Sequence, residues 1–319
     1  MTKRSRKANG NLHAARRAKN DEFYTQLVDI ENELKHYKKH FKGKIVLCNC
    51  DDPLGSNFVK YFSLNFEHLG LKKLIATHYK ESNLFQQEPP YKLEYTGDKN
   101  GNHVPDLEEF VTELLDDGDF RSAECEDLLE EADIVVTNPP FSLFREYVDQ
   151  LMLFEKKFLI IGPLNAITYK KIFPLLKEDK MRMGFTHPKE FILPSGESKP
   201  FGSTRWYTNL SHAKHNEKIT LHKKYYKKDF PKYDNYDAIN IDKVADIPMD
   251  YKGVMGVPIS FMDKYNPEQF EIIGFDYGVN QGLHPALIMP KWEGKLDRGY
   301  VNGHRMYSRI LIRNRKPQK

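Results

Sequence analysis

The chain has 319 residues, 39% of them hydrophobic, 13% aromatic and 29% charged, with a formal net charge of +4. That length suits one large domain with an attached lobe, or two domains, and buries a substantial core. The 20 Phe and 18 Tyr speak against a disordered chain, and no apolar run approaches the roughly 20 residues of a membrane span, the best being Phe158 to Ile161.

The N-terminus is basic, with no apolar stretch behind it to make a secretory signal. The three cysteines, Cys48, Cys50 and Cys125, form no CxxC pair, so a reducing cytoplasmic setting is expected. Cys48-x-Cys50 is narrower than the usual spacing of structural zinc ligands, and no metal site is expected.

Residues 1–20 carry Lys3, Arg4, Arg6, Lys7, Arg16, Arg17 and Lys19 and no acid, which reads as an arm for a polyanion or as a solvated tail. Glu31 to Phe41 has helical character and stops before Gly43. Lys44 to Cys50 is a short apolar run, predicted as a buried strand with a turn at Asp51, Asp52 and Pro53. Asn57 to Leu69 places Phe58, Tyr61, Phe62, Leu64, Phe66 and Leu69 roughly on one helical face. Lys73 to His78 is a second strand, and Lys92 to Tyr95 and Val104 to Leu115 carry fainter patterns. A helix ends over Asp127 to Ala132. Asp133 to Thr137 is a third buried strand, Leu143 to Phe154 an amphipathic helix, and Lys157 to Ile161 a fourth strand.

Short apolar strands alternating with helices predict an α/β sheet of mainly parallel strands. Such sheets bind ligands at the carboxyl ends of their strands, so the loops after Cys50 and Thr137 should face one crevice. Beyond about residue 180 this rhythm gives way to Pro, Gly, Lys and aromatics, and a mixed lobe is expected.

The segment Asp133–Phe141, DIVVTNPPF, carries the chemistry. Each proline disfavours the helical region for the residue before it, so Asn138 and Pro139 are held extended at a strand end. The Asn138 carboxamide and the Pro139 carbonyl become two rigid acceptors, with Pro140 completing the bend and Phe141 offering a flat apolar face. An exocyclic amine on a base is a poor nucleophile, because its lone pair is delocalised into the ring. Two hydrogen bonds accepted from its N–H groups favour a tetrahedral nitrogen, and stacking on Phe141 fixes the ring plane.

In these residues the chain resembles the S-adenosylmethionine-dependent amino-methyltransferases, and more narrowly the EcoRI-type adenine-specific DNA methyltransferases. The resemblance runs through DEFYTQ (21–26), CNCDDPLGSNFVKYF (48–62), GDFRS (118–122), DIVVTNPPFSLFREYVDQL (133–151) and KFLII (157–161). It continues in KYDNYDAIN (232–240) and GVMGVPISF (253–261). Blocks in that order over most of the chain are more specific than NPPF alone.

The resemblance implies a Rossmann-like methyltransferase sheet of mainly parallel strands, with a mixed C-terminal DNA-recognition lobe. The implied organisation is a basic arm over 1–20, a catalytic domain over 21–180, and the end of the sheet plus a target-recognition region over 181–319. Phe23, Tyr24 and Thr25 correspond to the motif that closes over the methionine part of S-adenosylmethionine. Asp51, Asp52 and Pro53 occupy the cofactor turn, where Gly55 is the sole glycine. Asp119 and Phe120 match the motif that holds the cofactor adenine. Glu81 is the nearest acid for the ribose after the second strand.

The resemblance further implies a sequence-specific DNA adenine-N6 methyltransferase acting on a flipped adenine in double-stranded DNA. Its expected context is a restriction-modification system, whose cognate restriction endonuclease would act without a stable complex. Asn138, Pro139, Pro140 and Phe141 would be its catalytic residues. DNA contacts are expected from Arg4, Arg6, Lys7, Arg16 and Arg17 in the arm. Trp206 or Tyr207 is the candidate to close the second face of the flipped base. Lys223, Lys224, Lys227 and Lys228, interleaved with Tyr225 and Tyr226, suit a phosphate backbone or a solvated face. The same holds for Arg305, Arg309, Arg313 and Arg315.

Cytosine C5 methylation requires a nucleophilic cysteine, which in that family follows a proline; here Leu47, Asn49 and Glu124 precede the three cysteines. Two other readings stay open on NPPF alone. One is methyl transfer to an amine of RNA or of protein glutamine; the other is a non-catalytic DNA-binding protein on the same scaffold.

Overall fold

The computed structural model describes residues 24–50, 52–79, 89–99, 101, 105–192, 198–200 and 203–318. The basic arm, Phe23, Asp51 and Glu81 therefore lie outside the described residues. The chain forms two compact units, Met1–Ile172 with Met183–His212, and Phe173–Arg182 with Ala213–Lys319. The first unit thus extends past residue 180, because strands from beyond that point return to its sheet. No helix among the described residues is long and apolar enough to cross a membrane.

The first unit is built on an eight-stranded sheet. Its strands are β2 (Ile45–Cys48), β3 (Lys73–Thr77), β4 (Tyr91–Tyr95), β5 (Val111–Glu113), β6 (Ile134–Thr137), β7 (Lys157–Pro163), β8 (Arg182–Met183) and β11 (Thr204–Thr208), in the order β5-β4-β3-β2-β6-β7-β11-β8. The central four are parallel, β2 pairing with both β3 and β6, and β6 with β7. Outside them, β4 pairs antiparallel with β3, β5 antiparallel with β4, and β11 antiparallel with β7. Strand order reverses between β2 and β6, with β3 on one side and β7 on the other. That reversal is where open α/β sheets leave a crevice outside the carboxyl ends of their strands.

Side chains alternate across a strand, and the buried strand residues divide accordingly. Val46, Cys48, Leu74, Ala76, Ile134, Val136, Leu159, Ile161 and Trp206 join one apolar cluster with Ile30, Leu34, Phe58 and Phe62. These last four lie on the helices α1 (Leu27–Leu34) and α2 (Asn57–Leu64). The helix expected over Glu31 to Phe41 begins earlier and stops at Leu34. Its apolar face continues through a 3-10 turn, Lys38–His40, so that Tyr37 and Phe41 still reach the core. The helix expected over Asn57 to Leu69 breaks at Asn65, whose side chain donates to Tyr61 O at 2.8 Å and competes with the helical ladder. A short helix α3 (Phe66–Leu69) follows and ends at Gly70, φ +63°.

Trp206 and Tyr207 require a correction. Both lie in β11 and are fully buried. Trp206 meets Phe58 edge-on at 6.0 Å, while Tyr207, on the opposite face, packs on Phe144 at 5.1 Å and donates its hydroxyl to Pro163 O at 2.8 Å. Helices cover both rings, so neither can stack on a base.

A three-stranded sheet, order β1-β9-β10, joins β1 (Tyr24–Thr25) to β9 (Glu190–Ile192) and β10 (Ser198–Pro200). Helix α1 anchors the segment leading into β9. The buried Glu33 carboxylate accepts from Phe185 N at 2.6 Å, Thr186 N at 2.5 Å, Thr186 Oγ1 at 2.6 Å and Tyr37 OH at 2.8 Å. Burial raises the Glu33 pKa even against those four bonds. One turn earlier, Asp29 accepts from Lys189 N at 2.9 Å.

The second unit centres on a four-stranded sheet of β12 (Ala238–Asn240), β13 (Val254–Val257), β14 (Phe270–Phe275) and β17 (Ile310–Asn314), in the order β12-β13-β17-β14, beside a two-stranded pair of β15 (Tyr300–Val301) and β16 (His304–Arg305). Its arginines are engaged within the unit. Arg309 is buried and pairs with Asp242 at 3.2 Å, Arg305 pairs with Asp297, and Arg313 with Glu271 at 3.2 Å. Arg315 Nε donates to Pro267 O at 2.9 Å. Beside β17, Asp276 at the start of the helix Asp276–Asn280 accepts from Arg309 N at 3.0 Å and Tyr277 N at 2.8 Å.

Candidate active site at the carboxyl edge of the sheet

Strand β6 is buried throughout and ends at Thr137. Asn138, 7% exposed, and Pro139 stay buried beyond the strand end, whereas Pro140 and Phe141 are half-buried. The chain then turns, Leu143 N donating to Pro140 O at 2.9 Å, and enters helix α5 (Phe144–Leu153). Phe141 packs against the edge of the apolar cluster with part of its ring at the surface. The bend therefore sits at the rim of the sheet, next to the reversal between β2 and β6.

The loop after β2 is tied to the same helix. Asn49, buried just past Cys48, accepts at Oδ1 from the Tyr147 hydroxyl at 2.5 Å. Full burial lifts the Tyr147 pKa well above the usual phenol range, so this group remains a donor. The ring of Tyr147 meets Phe120 edge-on at 5.0 Å, and Gln150, three residues along α5, donates to Phe120 O at 2.9 Å. One helix thus holds the NPPF bend, the β2 loop and the 118–120 turn.

The 118–120 turn also abuts the end of β3. Gly118 has φ +77°, and a Cβ there would lie 2.1 Å from His78 O, so only glycine fits. His78 stacks on Tyr91 at 4.9 Å, and the Tyr91 hydroxyl donates to Asp52 Oδ1 at 2.5 Å. Asp52 also shapes its own turn, accepting from Leu54 N at 3.0 Å through its side chain and from Ser56 N at 2.7 Å through its carbonyl. Pro53 is buried within that turn. From the first residue of α2, Asn57 Nδ2 donates to Thr25 O at 2.8 Å, drawing β1 to the same place. Of Tyr24, the backbone is described, paired with Ile192.

Asp119 is held by its neighbour. Its carboxylate accepts from Arg121 N at 2.9 Å, Nε at 2.8 Å and Nη2 at 2.7 Å, and the Arg121 hydrogen bonds hold its pKa below the usual range. A carboxylate has about four acceptor positions, so Asp119 keeps one for a further donor. Helix α4 (Ala123–Glu131) follows, capped by Ser122.

These residues fit the S-adenosylmethionine that the resemblance implies. The Thr25 hydroxyl is buried without a hydrogen-bond partner, a state native proteins rarely leave unfilled. Asp52 and Asp119 add carboxylate acceptors at the same rim.

The structure brings Thr25, Asp52, Pro53, Asp119, Phe120 and Asn138 to Phe141 onto one rim. The lysines Lys223, Lys224, Lys227 and Lys228 are exposed in the second unit. There Lys223 pairs with Asp246 at 2.9 Å, and Tyr225 packs against Phe230 and Tyr251 at 5.8 and 4.5 Å. Lys223, Lys224 and Tyr226 border a cavity of about 260 Å³ that Asp242 and Asp246 also line. The sequence reading missed Asn49, Tyr147 and Gln150. Tyr147 looks like any apolar-face residue of an amphipathic helix; Asn49, polar at the end of an apolar run, was the one visible signal.

A family model described as adenine-specific methyltransferase EcoRI matches residues 11–315. The chain is 46% identical to the Type II methyltransferase M.EcoRI of Escherichia coli, with 97% of each chain covered. It is 37% identical to a Type II methyltransferase of Mycoplasma genitalium, over 96% of this chain and 99% of the relative. Identity to the Type II methyltransferase M.MpnI of Mycoplasma pneumoniae is 36%, over 96% and 98% respectively. No solved structure matches the chain.

Proposed function

The chain belongs to the EcoRI family of adenine-specific methyltransferases, and from that membership we propose that it methylates N6 of an adenine in double-stranded DNA. The methyl donor in this reading is S-adenosylmethionine, and the biological role is modification within a restriction-modification system. A cognate endonuclease would share the target sequence without forming a stable complex.

The observation that carries the reading is the placement of Asn138–Phe141. The bend leaves the carboxyl end of β6 beside the loop that leaves β2, at the reversal of strand order. An adenine in duplex DNA cannot reach such a crevice while stacked, so it is extruded, at a cost of a few kcal/mol. Phe141 stacks on one face of the base. The Asn138 carboxamide and the Pro139 carbonyl accept from the two amino hydrogens, pulling the nitrogen toward tetrahedral geometry and aiming its lone pair into the crevice. Because the bend is rigid, these dipoles need no reorganisation as charge develops on nitrogen. Bound S-adenosylmethionine supplies a methyl group activated by its sulfonium for direct displacement. Thr25 would hold its methionine part and Asp119 its adenine, with Asp52 in the cofactor turn, and Phe120 would line the adenine site.

Methylome sequencing of DNA from cells expressing the protein tests this. N6-methyladenine at one short sequence, absent with Asn138→Ala, is the expected result. Methyl label incorporated into RNA or protein while DNA stays unmodified overturns it.

A further inference from the structure

Extruding a nucleotide carries its two flanking phosphates to the rim of the crevice, and something there must neutralise them. The rim is unequal in charge. On the side of β2 and β3 the described residues include Asp52 and Asp119; Arg121 there is taken up by Asp119 at 2.7 Å and Glu146 at 3.3 Å, and Lys92 by Glu94 at 3.6 Å and Glu124 at 3.7 Å. Arg121 and Lys92 are thus already paired with carboxylates.

On the side of β7 the charge reverses. Arg145 stands in the first turn of α5, four positions beyond Phe141, and is exposed. Its guanidinium lies 5.3 Å from the ring centre of Tyr169, the residue after the 3-10 segment Leu164–Thr168 that follows β7. Since β6 and β7 are parallel neighbours, this contact bridges two adjacent loops at the carboxyl edge. The loop is fixed on its own account: Leu164 N donates to Ser203 O at 2.6 Å and Thr168 Oγ1 to Asn165 O at 2.7 Å. Lys170 is exposed and has no ion-pair partner among the described residues. Lys171, beside it, pairs with Asp149.

We propose that Arg145 and Lys170 form the phosphate-binding flank of the crevice and take the backbone of the strand whose adenine is extruded. The proposal rests on the DNA reading above. An arginine stacked on an aromatic face keeps its planar fork oriented and its N–H edges free for phosphate oxygens. Lys170 adds a second point charge along the same strand.

The test uses the full chain and a duplex containing the methylation site mapped by methylome sequencing, with binding measured by fluorescence anisotropy over a series of salt concentrations. Each neutralised phosphate contributes about 0.9 to the slope of log affinity against log salt. The double variant Arg145→Gln/Lys170→Gln should flatten that slope by close to two and weaken binding about tenfold at physiological salt, with the KM for S-adenosylmethionine within about twofold of the parent. Adding back charge with Arg145→Lys, in the Lys170→Gln background, should recover about one slope contribution. Lys157→Gln, at the opposite end of β7 and exposed, should change nothing. An unchanged slope in the double variant overturns the proposal, as does an Arg145→Lys variant that behaves like Arg145→Gln, since that marks packing on Tyr169 as the role. A parent protein that neither binds nor methylates the duplex overturns the DNA reading itself, a distinct result.

Discussion

The Tyr147 hydroxyl donates to Asn49 Oδ1 at 2.5 Å, joining the helix behind the NPPF bend to the loop behind the first parallel strand. The same tyrosine meets Phe120 edge-on, so one buried side chain sets the spacing between the NPPF bend, proposed to take the base, and the loops proposed to hold the cofactor. Tyr147→Phe keeps the ring contact but leaves buried Asn49 Oδ1 with only the weak Cys50 thiol donor at 3.7 Å, a loss of about 1–3 kcal/mol. The expected outcome is a KM for S-adenosylmethionine raised about tenfold with kcat changed less than about threefold, read from steady-state kinetics and calorimetry. An equal fall in kcat with unchanged KM would show that the bond serves the base instead.

On the proposed function, Asn138→Ala removes one of the two acceptors for the amino group. Losing one preorganised dipole of this kind costs about 2.7–4 kcal/mol, so single-turnover methyl transfer should slow by about 100-fold to 1,000-fold. DNA affinity should stay within about threefold. Phe141→Ala should lower both, because stacking holds the extruded base before and during transfer.

Gly118→Ala places a methyl group 2.1 Å from His78 O at a residue with φ +77°. The turn must shift, at about 1–3 kcal/mol, and Asp119 and Phe120 shift with it. Thermal unfolding should show a lower melting temperature and a smaller rise on adding S-adenosylmethionine. A full ligand-induced rise would show that the turn does not hold the cofactor.

Asp276 supplies a pH test in the second unit. Burial, opposed by Arg298 and by bonds from Arg309, Ser308 and Tyr277, raises its pKa to about 6. The folded chain then binds this proton more tightly than the unfolded chain does, so the group's contribution to stability falls as pH rises from about 4 to about 6. At about 1.4 kcal/mol per factor of ten in proton affinity, the change is on the order of 3 kcal/mol. Asp276→Asn has no such proton. The difference in urea midpoint between parent and variant should therefore move against the parent as pH rises through that window, and a pH-independent difference would refute the assignment.

Much of the site was legible because its signals are local. A run such as Ile134–Thr137 forms a buried strand wherever it lies, and two prolines stiffen the residues before them in any context. The loops expected after Cys50 and Thr137 do leave neighbouring parallel strands at one edge, the first already at Cys48, because right-handed crossovers between parallel strands leave few other arrangements. Helix ends were less legible: Asn65 and the 3-10 turn at Lys38–His40 divide helices whose apolar spacing reads as continuous.

Trp206, Tyr207 and Arg309 mark where local reading stops. An aromatic pair in a polar stretch and a spaced row of arginines look like recognition surfaces in one dimension. Whether they are exposed depends on partners distant in sequence: Phe58 and Phe144 cover the two rings and Asp242 pairs with the buried Arg309, while Arg305, Arg313 and Arg315 stay exposed. The sequence by itself determined the alternation of strands and helices and the stiffness of the bend, because short-range sterics and side-chain identity suffice for both. Only the tertiary structure decided which aromatics stack inside, which cations remain in water and which helix couples the two halves of the crevice, because burial belongs to a contact between segments and not to either segment alone.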